Sequence, residues 1–143
     1  MASASTTEVF NCTVEEFYEI VSDFEKYPEF LAEVSECRVV EDQGNRKLVE
    51  YSVNVIKKFS YSIWVELEPN KGLKWEFASG DVFKVNNGSW KLEDEAGKCR
   101  ATYNVEAKFG LFVPGPITKA LVNVNLPNMI SSFHKRIGEV YGK

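Results

Sequence analysis

The stretch PITKALVNVNLPNMISSFHKRIGEVY, residues 116–141, is the one run of this chain long enough to form a major helix. Its apolar residues recur at three- and four-residue spacing, which places them on one side of a helix. They form two sets: Ile117, Ala120, Leu121 and Val124, then Met129, Phe133, Ile137 and Val140. Because Pro127 lacks an N–H and clashes with the preceding turn, we expect a kink there. A long helix with an apolar side needs a concave partner, and the preceding residues indicate a sheet.

Length and composition indicate an ordinary globular protein. The 143 residues fit a single domain, residues 1–143, that is long enough to bury a core. Hydrophobic residues make up 44% and charged residues 27%, while the 13% of aromatic residues is on the rich side. No apolar run is long enough to span a bilayer, and the first residues lack the pattern of an export signal. We therefore predict a cytoplasmic protein, and we expect a monomer.

Cysteine spacing and net charge exclude several kinds of site. Cys12, Cys37 and Cys99 are scattered, with no close pair of the kind found in zinc or redox motifs. We interpret them as reduced thiols packed like small apolar residues, and we predict neither a metal site nor a cofactor. The net charge of −4 and pI of about 5.2 argue against nucleic acid as a partner, since phosphate binding uses clustered Lys and Arg.

The first part of the chain predicts a strand followed by two short helices. Residues 5–12 alternate as in a strand, and Thr13 precedes Glu16 by three positions, which is the pattern of a capping box. A helix should therefore begin at Val14, and its buried face should carry Phe17, Ile20, Val21 and Phe24. The Tyr27-Pro28 pair should end it, with one more short helical turn over residues 29–34.

From Ser35 onward the pattern predicts an antiparallel meander. The six further strands are Arg38–Glu41, Lys47–Ile56, Phe59–Leu67, Leu73–Phe77, Val82–Leu92 and Cys99–Phe109. Turns are predicted at residues 42–45, 69–72, 79–81 and 94–97. Apolar residues alternate in three runs: Val49, Tyr51, Val53, Val55; Phe59, Tyr61, Ile63, Val65, Leu67; and Ala101, Tyr103, Val105, Ala107, Phe109. One face of the sheet should be apolar and the other exposed to solvent. Asn86-Asn87-Gly88 should form a bulge.

The order strand, two short helices, six strands and long helix resembles the helix-grip fold of the START-like (SRPBCC, Bet v 1-like) superfamily. That superfamily includes polyketide cyclases, lipid-transfer domains and pollen allergens. Residues 21–31 (VSDFEKYPEFL), 88–92 (GSWKL) and 129–142 are similar to the coenzyme Q-binding and ribosome-association toxin family. The resemblance implies an α+β fold in which a curved antiparallel sheet of about seven strands holds the long C-terminal helix over its concave face.

Acid–base groups give little sign of catalysis. His134 is the single histidine, and a catalytic histidine needs an orienting carboxylate and a partner with a proton to exchange. The sequence nominates neither, so we interpret His134 as a partly exposed structural residue. The acidic clusters at residues 15–16 and 93–95 fall in a helical turn and a strand turn, where solvated carboxylates are ordinary. We predict no catalytic residue.

The apolar face is the more informative candidate. A buried tyrosine hydroxyl needs a partner, whether a backbone group, a water or a ligand oxygen. Either these aromatic residues fill the core with their hydroxyls at its rim, or they line a mostly apolar ligand cavity under the helix. The second interpretation predicts a lining of Tyr51, Val53, Tyr61, Ile63, Trp75, Phe77, Tyr103, Val105, Leu121, Val124 and Met129.

The loop GLFVPGP, residues 110–116, is unusually apolar. Leu111, Phe112 and Val113 are predicted to form the mouth of the cavity, where they would make the first contact with a lipid or membrane. The alternative is that Phe112 plugs the end of the core.

Together these features favour a carrier that shields an apolar small molecule, such as a lipid, quinone or polycyclic compound. A polyketide cyclase or aromatase is the first alternative, and it would need a polar group deep in the cavity to move protons. The resemblance also allows a ribosome- or protein-interaction module, although the acidic total charge disfavours it.

Overall fold

The computed structural model describes residues 2–55, 57–110, 113–116 and 125–143. Its centre is one curved sheet of seven strands in the order β1-β7-β6-β5-β4-β3-β2, with every neighbouring pair antiparallel. The strands are β1 (Ala2–Phe10), β2 (Val34–Asp42), β3 (Arg46–Val55), β4 (Lys57–Glu68), β5 (Gly72–Gly80), β6 (Phe83–Glu95) and β7 (Lys98–Phe109). The predicted helix-grip architecture is confirmed.

Two helical segments connect β1 to β2. Helix α1 (Val14–Val21) begins where the capping box predicts: the Glu16 N–H donates to the Thr13 hydroxyl at 3.1 Å, and the Thr13 N–H donates to the Glu16 carboxylate at 2.9 Å. A 3-10 helix (Phe24–Glu29) follows it.

The predicted boundaries of these helices were wrong in two respects. Helix α1 ends at Val21, where the Ser22 hydroxyl donates to the Tyr18 carbonyl at 2.6 Å and competes with the next helical turn. Phe24 is buried, but it belongs to the 3-10 helix, which contains Pro28. Of the turn predicted over residues 29–34, the structure shows a hydrogen-bonded turn at its end, where the Val34 N–H donates to the Leu31 carbonyl at 3.0 Å and β2 begins.

Most strands extend beyond their predicted ends. Strand β2 starts four residues earlier than Arg38, and its pairing with β3 shifts register twice; such shifts interrupt the alternation on which a sequence prediction depends. Strand β5 likewise continues to Gly80. The turn after β6 places Ala96 and Gly97 at φ of 53° and 86°, a conformation that suits a tight hairpin.

The bulge predicted at residues 86–88 was also wrong. These three residues pair regularly with β7, and the register shift of β6 lies between Phe83 and Val85. What changes near Gly88 is the other neighbour: β5 pairs with β6 only from Gly72–Trp75 to Gly88–Lys91. Beyond that point the two strands part, and the Asn87 side-chain oxygen accepts a hydrogen bond from the Phe77 N–H at 3.3 Å.

The C-terminal helix α2 (Asn125–Tyr141) is the described part of the long helix. It is fixed to α1 by the Tyr141 hydroxyl, which donates to the Glu16 carbonyl at 3.1 Å, and to the 3-10 helix by the Arg136–Glu29 ion pair at 3.0 Å. Residues 117–124 lie outside the described residues, so the kink predicted near Pro127 stays a prediction.

The core lies where α1 and α2 meet the concave face. Phe10, Phe17, Phe133 and Ile137 are at most 1% exposed. The three thiols are free and buried, as predicted. Within the described ranges, no helix is both long and apolar enough to cross a membrane.

Candidate ligand-binding cavity

A cavity of about 210 Å³ lies between the concave face, the 3-10 helix region and α2. This volume is many times the roughly 15 Å³ that one water molecule requires. Eight residues of the predicted lining face it: Tyr51, Val53, Tyr61, Ile63, Trp75, Tyr103, Val105 and Met129. Strand alternation places the sheet residues there, since positions two apart point to the same face. Their role as ligand contacts stays a prediction.

The remaining predicted residues are placed differently. Phe77 is half-buried, and its ring lies edge-on to Phe83, which itself lines the cavity, with ring centroids 6.4 Å apart. Leu121 and Val124 lie outside the described residues, as do Leu111 and Phe112. Val113 is half-buried, and its N–H donates to the Gly110 carbonyl at 3.2 Å. The predicted mouth and its membrane contact therefore stay predictions.

The strand register brings two of the predicted tyrosines face to face. Tyr51 of β3 pairs with Tyr61 of β4. Their rings stack with centroids 5.3 Å apart and planes within 2° of parallel. On the other side of the cavity Tyr103 packs against Trp90, at 4.9 Å between centroids. The cavity is therefore bounded by flat aromatic surfaces.

Tyr61 and Tyr103 both line the cavity. Both side chains keep accessible surface although they lie deep in the protein, which is expected of groups that border an internal space. Within the described residues neither hydroxyl has a hydrogen-bond partner, and no fully buried polar side-chain atom lacks one. Burial raises the pKa of both phenols above the ordinary value of 10.0, so both are neutral at physiological pH.

Tyr27 and Cys37 lie close to the cavity tyrosines. The Tyr27 hydroxyl donates to the Val21 carbonyl, which connects the 3-10 helix to the end of α1. Burial, followed by the nearby Cys37 and Tyr103, raises the pKa of Tyr27 well above 10.0. Burial raises the pKa of the Cys37 thiol to about 12. A thiol with that pKa is not a nucleophile at neutral pH.

Asn86 is a polar lining residue that the sequence prediction missed. It is only 8% exposed, and its side-chain oxygen accepts a hydrogen bond from the Trp75 indole N–H at 3.1 Å. The register shift between Phe83 and Val85 reverses the alternation of β6, so that Phe83 and Asn86 both line the cavity despite their odd spacing. Counting back in twos from Trp90 would have found Asn86.

Gly88 permits the close approach of Trp75 to β6. A Cβ atom at Gly88 would lie 2.2 Å from the Trp75 ring and 2.5 Å from the Asn104 carbonyl oxygen. No side chain fits at that distance, so glycine is required where the indole crosses the strand. The Trp75 ring is thereby held against β6, next to Asn86.

His134 lies outside the cavity wall. Its side chain is 40% exposed, its Nε2 is 2.9 Å from the Glu8 carboxylate of β1, and its ring packs against Phe10. His134 therefore does have a carboxylate partner, but it is 126 positions away in the sequence and the contact lies at the protein surface. Among the described residues that line the cavity, Glu33 is the one charged side chain.

Comparison with known proteins gives relatives along the whole chain. The chain is 26% identical to the ribosome association toxin RatA of Vibrio cholerae serotype O1 over 148 aligned positions, which cover 100% of both proteins.

Two solved structures share the fold. A START superfamily protein from Mycobacterium smegmatis has a TM-score of 0.83 at 20% identity, with 96% of this chain and 98% of that chain covered. The Zhui aromatase/cyclase from Streptomyces sp. R1128 has a TM-score of 0.83 at 12% identity, with 99% and 98% covered. At these identities the likeness establishes the fold.

The family described as polyketide cyclase/dehydrase and lipid transport matches residues 11–134. That range includes α1, the 3-10 helix, six complete strands and the first half of α2. It confirms the superfamily that the sequence resembles. The chain therefore belongs to the polyketide cyclase/dehydrase and lipid transport family.

Proposed function

We propose that this protein binds and carries an apolar small molecule in the cavity between its sheet and α2. The observation that carries the proposal is the cavity itself: about 210 Å³ of space bordered mostly by aromatic and aliphatic side chains with a few polar groups, of which Glu33 is the one charged side chain among the described residues. Small-molecule sites have this composition, because apolar walls supply affinity and a few polar groups fix orientation.

Binding is better supported than cyclase chemistry by the protonation of the described cavity walls. A cyclase must remove and return protons, and a general base works best with a pKa near the operating pH. Burial raises the pKa of Tyr51, Tyr61 and Tyr103 above 10.0, so these phenols can donate hydrogen bonds but remain protonated at neutral pH. Cys37 is not among the described lining residues, and its raised pKa removes the thiolate alternative, so Glu33 is the one described lining group left that could act as a base.

The full-length likeness to RatA supports a second candidate, association with the ribosome. Sedimentation of the purified protein with ribosomes through a sucrose gradient would test it. Co-sedimentation that persists at moderate salt would favour this candidate, and recovery only at the top of the gradient would reject it. The net charge of −4 makes a purely electrostatic association with ribosomal RNA unfavourable.

Mass spectrometry of organic extracts from gently purified protein tests the carrier proposal. We expect a bound apolar compound in the wild type and its loss in Val105→Trp, because the larger side chain occupies the cavity. The matched control is Val40→Trp, which adds the same ring at a position of β2 that is 46% exposed. Equal recovery of the compound from both variants would contradict binding in this cavity.

The same extraction combined with an activity assay gives the complementary result. An extract that is consistently empty, together with turnover of a polyketide-like substrate, would make the protein an enzyme of the cyclase type.

A further inference from the structure

We propose that Asn86 is a specificity-determining residue that donates a hydrogen bond to a neutral oxygen of the ligand, such as a ketone carbonyl. This inference rests on the proposed function and deepens it, since it names a chemical feature that the bound molecule must carry. The ligand class is an apolar, flat molecule with at least one neutral hydrogen-bond acceptor.

The orientation of the Asn86 amide is fixed by its neighbour. The indole N–H of Trp75 can only donate, so the amide atom that it meets at 3.1 Å must be the oxygen. The NH₂ group of Asn86 therefore points away from the indole. The absence of a Cβ at Gly88 leaves room for the Trp75 ring, which also packs against the Tyr103 ring with centroids 5.7 Å apart.

The NH₂ group of Asn86 has donor capacity that the described protein does not use. Asn86 is 8% exposed and lines the cavity. Among the described residues its one side-chain hydrogen bond is the one accepted from Trp75, yet no fully buried polar atom is left without a partner. The NH₂ group therefore keeps accessible surface, and because Asn86 lines the cavity we infer that this surface opens into it, where a ligand atom or water can satisfy the donor.

The charge of the surroundings selects a neutral acceptor. Glu33 is the one charged side chain among the described residues of the wall, and its carboxylate disfavours a second anion. The phenols of Tyr61 and Tyr103 are neutral. A carboxylate ligand would lose its hydration without gaining a cation from these walls, whereas a carbonyl gains hydrogen bonds at little desolvation cost.

Three rigid probes of one shape separate these possibilities: fluorene, fluorenone and fluorene-9-carboxylate. They differ in the substituent at a single carbon, so apolar burial is nearly matched. We expect the wild type to bind fluorenone about 3- to 10-fold more tightly than fluorene, the range of one net hydrogen bond. The carboxylate should bind most weakly of the three. Titration calorimetry or quenching of tryptophan fluorescence measures all three affinities.

Asn86→Leu should remove the preference for fluorenone over fluorene. Trp75→Phe should reduce the preference, because it frees the amide to rotate while keeping an aromatic ring. The matched control is Asn54→Leu in β3, whose side chain is exposed; it should keep the full preference. Thermal unfolding of each variant shows that it is folded.

An infrared measurement on the wild type and on Asn86→Leu separates Asn86 from the hydroxyls of Tyr61 and Tyr103, because the shift of the carbonyl stretch should shrink in the variant. The carbonyl stretch of bound fluorenone should move to lower wavenumber than in an apolar solvent, because a donated hydrogen bond weakens the C=O bond. An unshifted carbonyl would overturn the role of Asn86, as would equal affinity for fluorene and fluorenone, or tightest binding of the carboxylate. If none of the three probes binds although extracts of the wild type contain a bound compound, this inference is overturned and the proposed function stands; if the extracts are empty as well, both are overturned.

Discussion

The two ends of the concave face are built from the same alternating pattern but are filled to different extents. At one end Phe10, Phe17 and Phe133 are at most 1% exposed, and their ring centroids lie 4.5–6.4 Å apart. At the other end Tyr61 and Tyr103 keep accessible surface and border a cavity. Alternation thus predicts which face of a sheet is apolar, while the elements above that face decide whether it is solid.

The helices explain the difference. Helix α1 inserts Phe17 and α2 inserts Phe133 between sheet residues, so the first end is packed at the density of an ordinary core. At the other end the described part of α2 lines the cavity with Leu126, Met129 and Phe133, so Phe133 borders both ends, and space is left between α2 and the sheet. The packed end should carry the stability of the protein, and the open end should carry its binding.

The largest effect is expected at the packed end. Phe133→Ala should lower the free energy of unfolding by about 3–5 kcal/mol, as is typical when a buried phenylalanine is truncated. Phe83→Ala, which removes the same ring from the cavity wall, should cost clearly less because that ring is only half-buried. Urea unfolding of both variants gives the comparison. Equal losses would mean that the two ends are packed alike.

Alkaline pH should destabilise the protein through its buried phenols. Tyr27, Tyr51, Tyr61 and Tyr103 have a pKa above 10.0 when folded, so unfolding releases protons at high pH. Their contribution is fully present below pH 10 and decreases as the pH rises from 10 toward the folded pKa values. Absorbance at 295 nm and circular dichroism, recorded together, should show these four tyrosines ionising only with unfolding. Ionisation of the cavity tyrosines in native protein near pH 10 would disagree with this description.

Loss of the capping box should destabilise α1, the helix that covers the packed end. Thr13→Ala should reduce stability by about 1 kcal/mol, because the Glu16 N–H loses its acceptor at the start of α1. Ligand affinity of the folded fraction should not change. Thr7→Ala on the exposed face of β1 is a matched control, and its effect should stay within about 0.5 kcal/mol. Chemical denaturation measures the loss of stability in both variants. Equal losses for Thr13→Ala and Thr7→Ala would count against a stabilising role of the cap.

The smallest stability effects are expected for the cavity hydroxyls. Tyr61→Phe and Tyr103→Phe should each change the free energy of unfolding by less than about 1 kcal/mol, while ligands with an oxygen acceptor lose up to about tenfold in affinity. Tyr27→Phe is the converse control, since its hydroxyl donates to the Val21 carbonyl: it should lose stability and keep affinity. The same result for all three substitutions would remove the distinction between structural and binding hydroxyls.

Much of the fold could be predicted because its signals are local. The Thr13–Glu16 box and the alternation around Tyr61 and Tyr103 need only a few neighbouring residues. The cavity was one of two open interpretations, since its volume depends on the distance between helix and sheet. Asn86 was missed because a bulge was predicted at residues 86–88, whereas this part of β6 stays in phase with Trp90. The Glu8–His134 contact joins distant segments, and no local pattern encodes such a pairing.

The short pairing between β5 and β6 has a mechanical consequence. Four residue pairs, from Gly72–Lys91 to Trp75–Gly88, form the seam between a ribbon of β1, β7 and β6 and a ribbon of β5, β4, β3 and β2. Tilting one ribbon against the other about this seam leaves the ladders inside each ribbon intact and strains mainly the side-chain bridges made by Asn86 and Asn87. We therefore expect the sheet to bend more easily at this seam than within either ribbon, and such bending would change the width of the cavity that the two ribbons border.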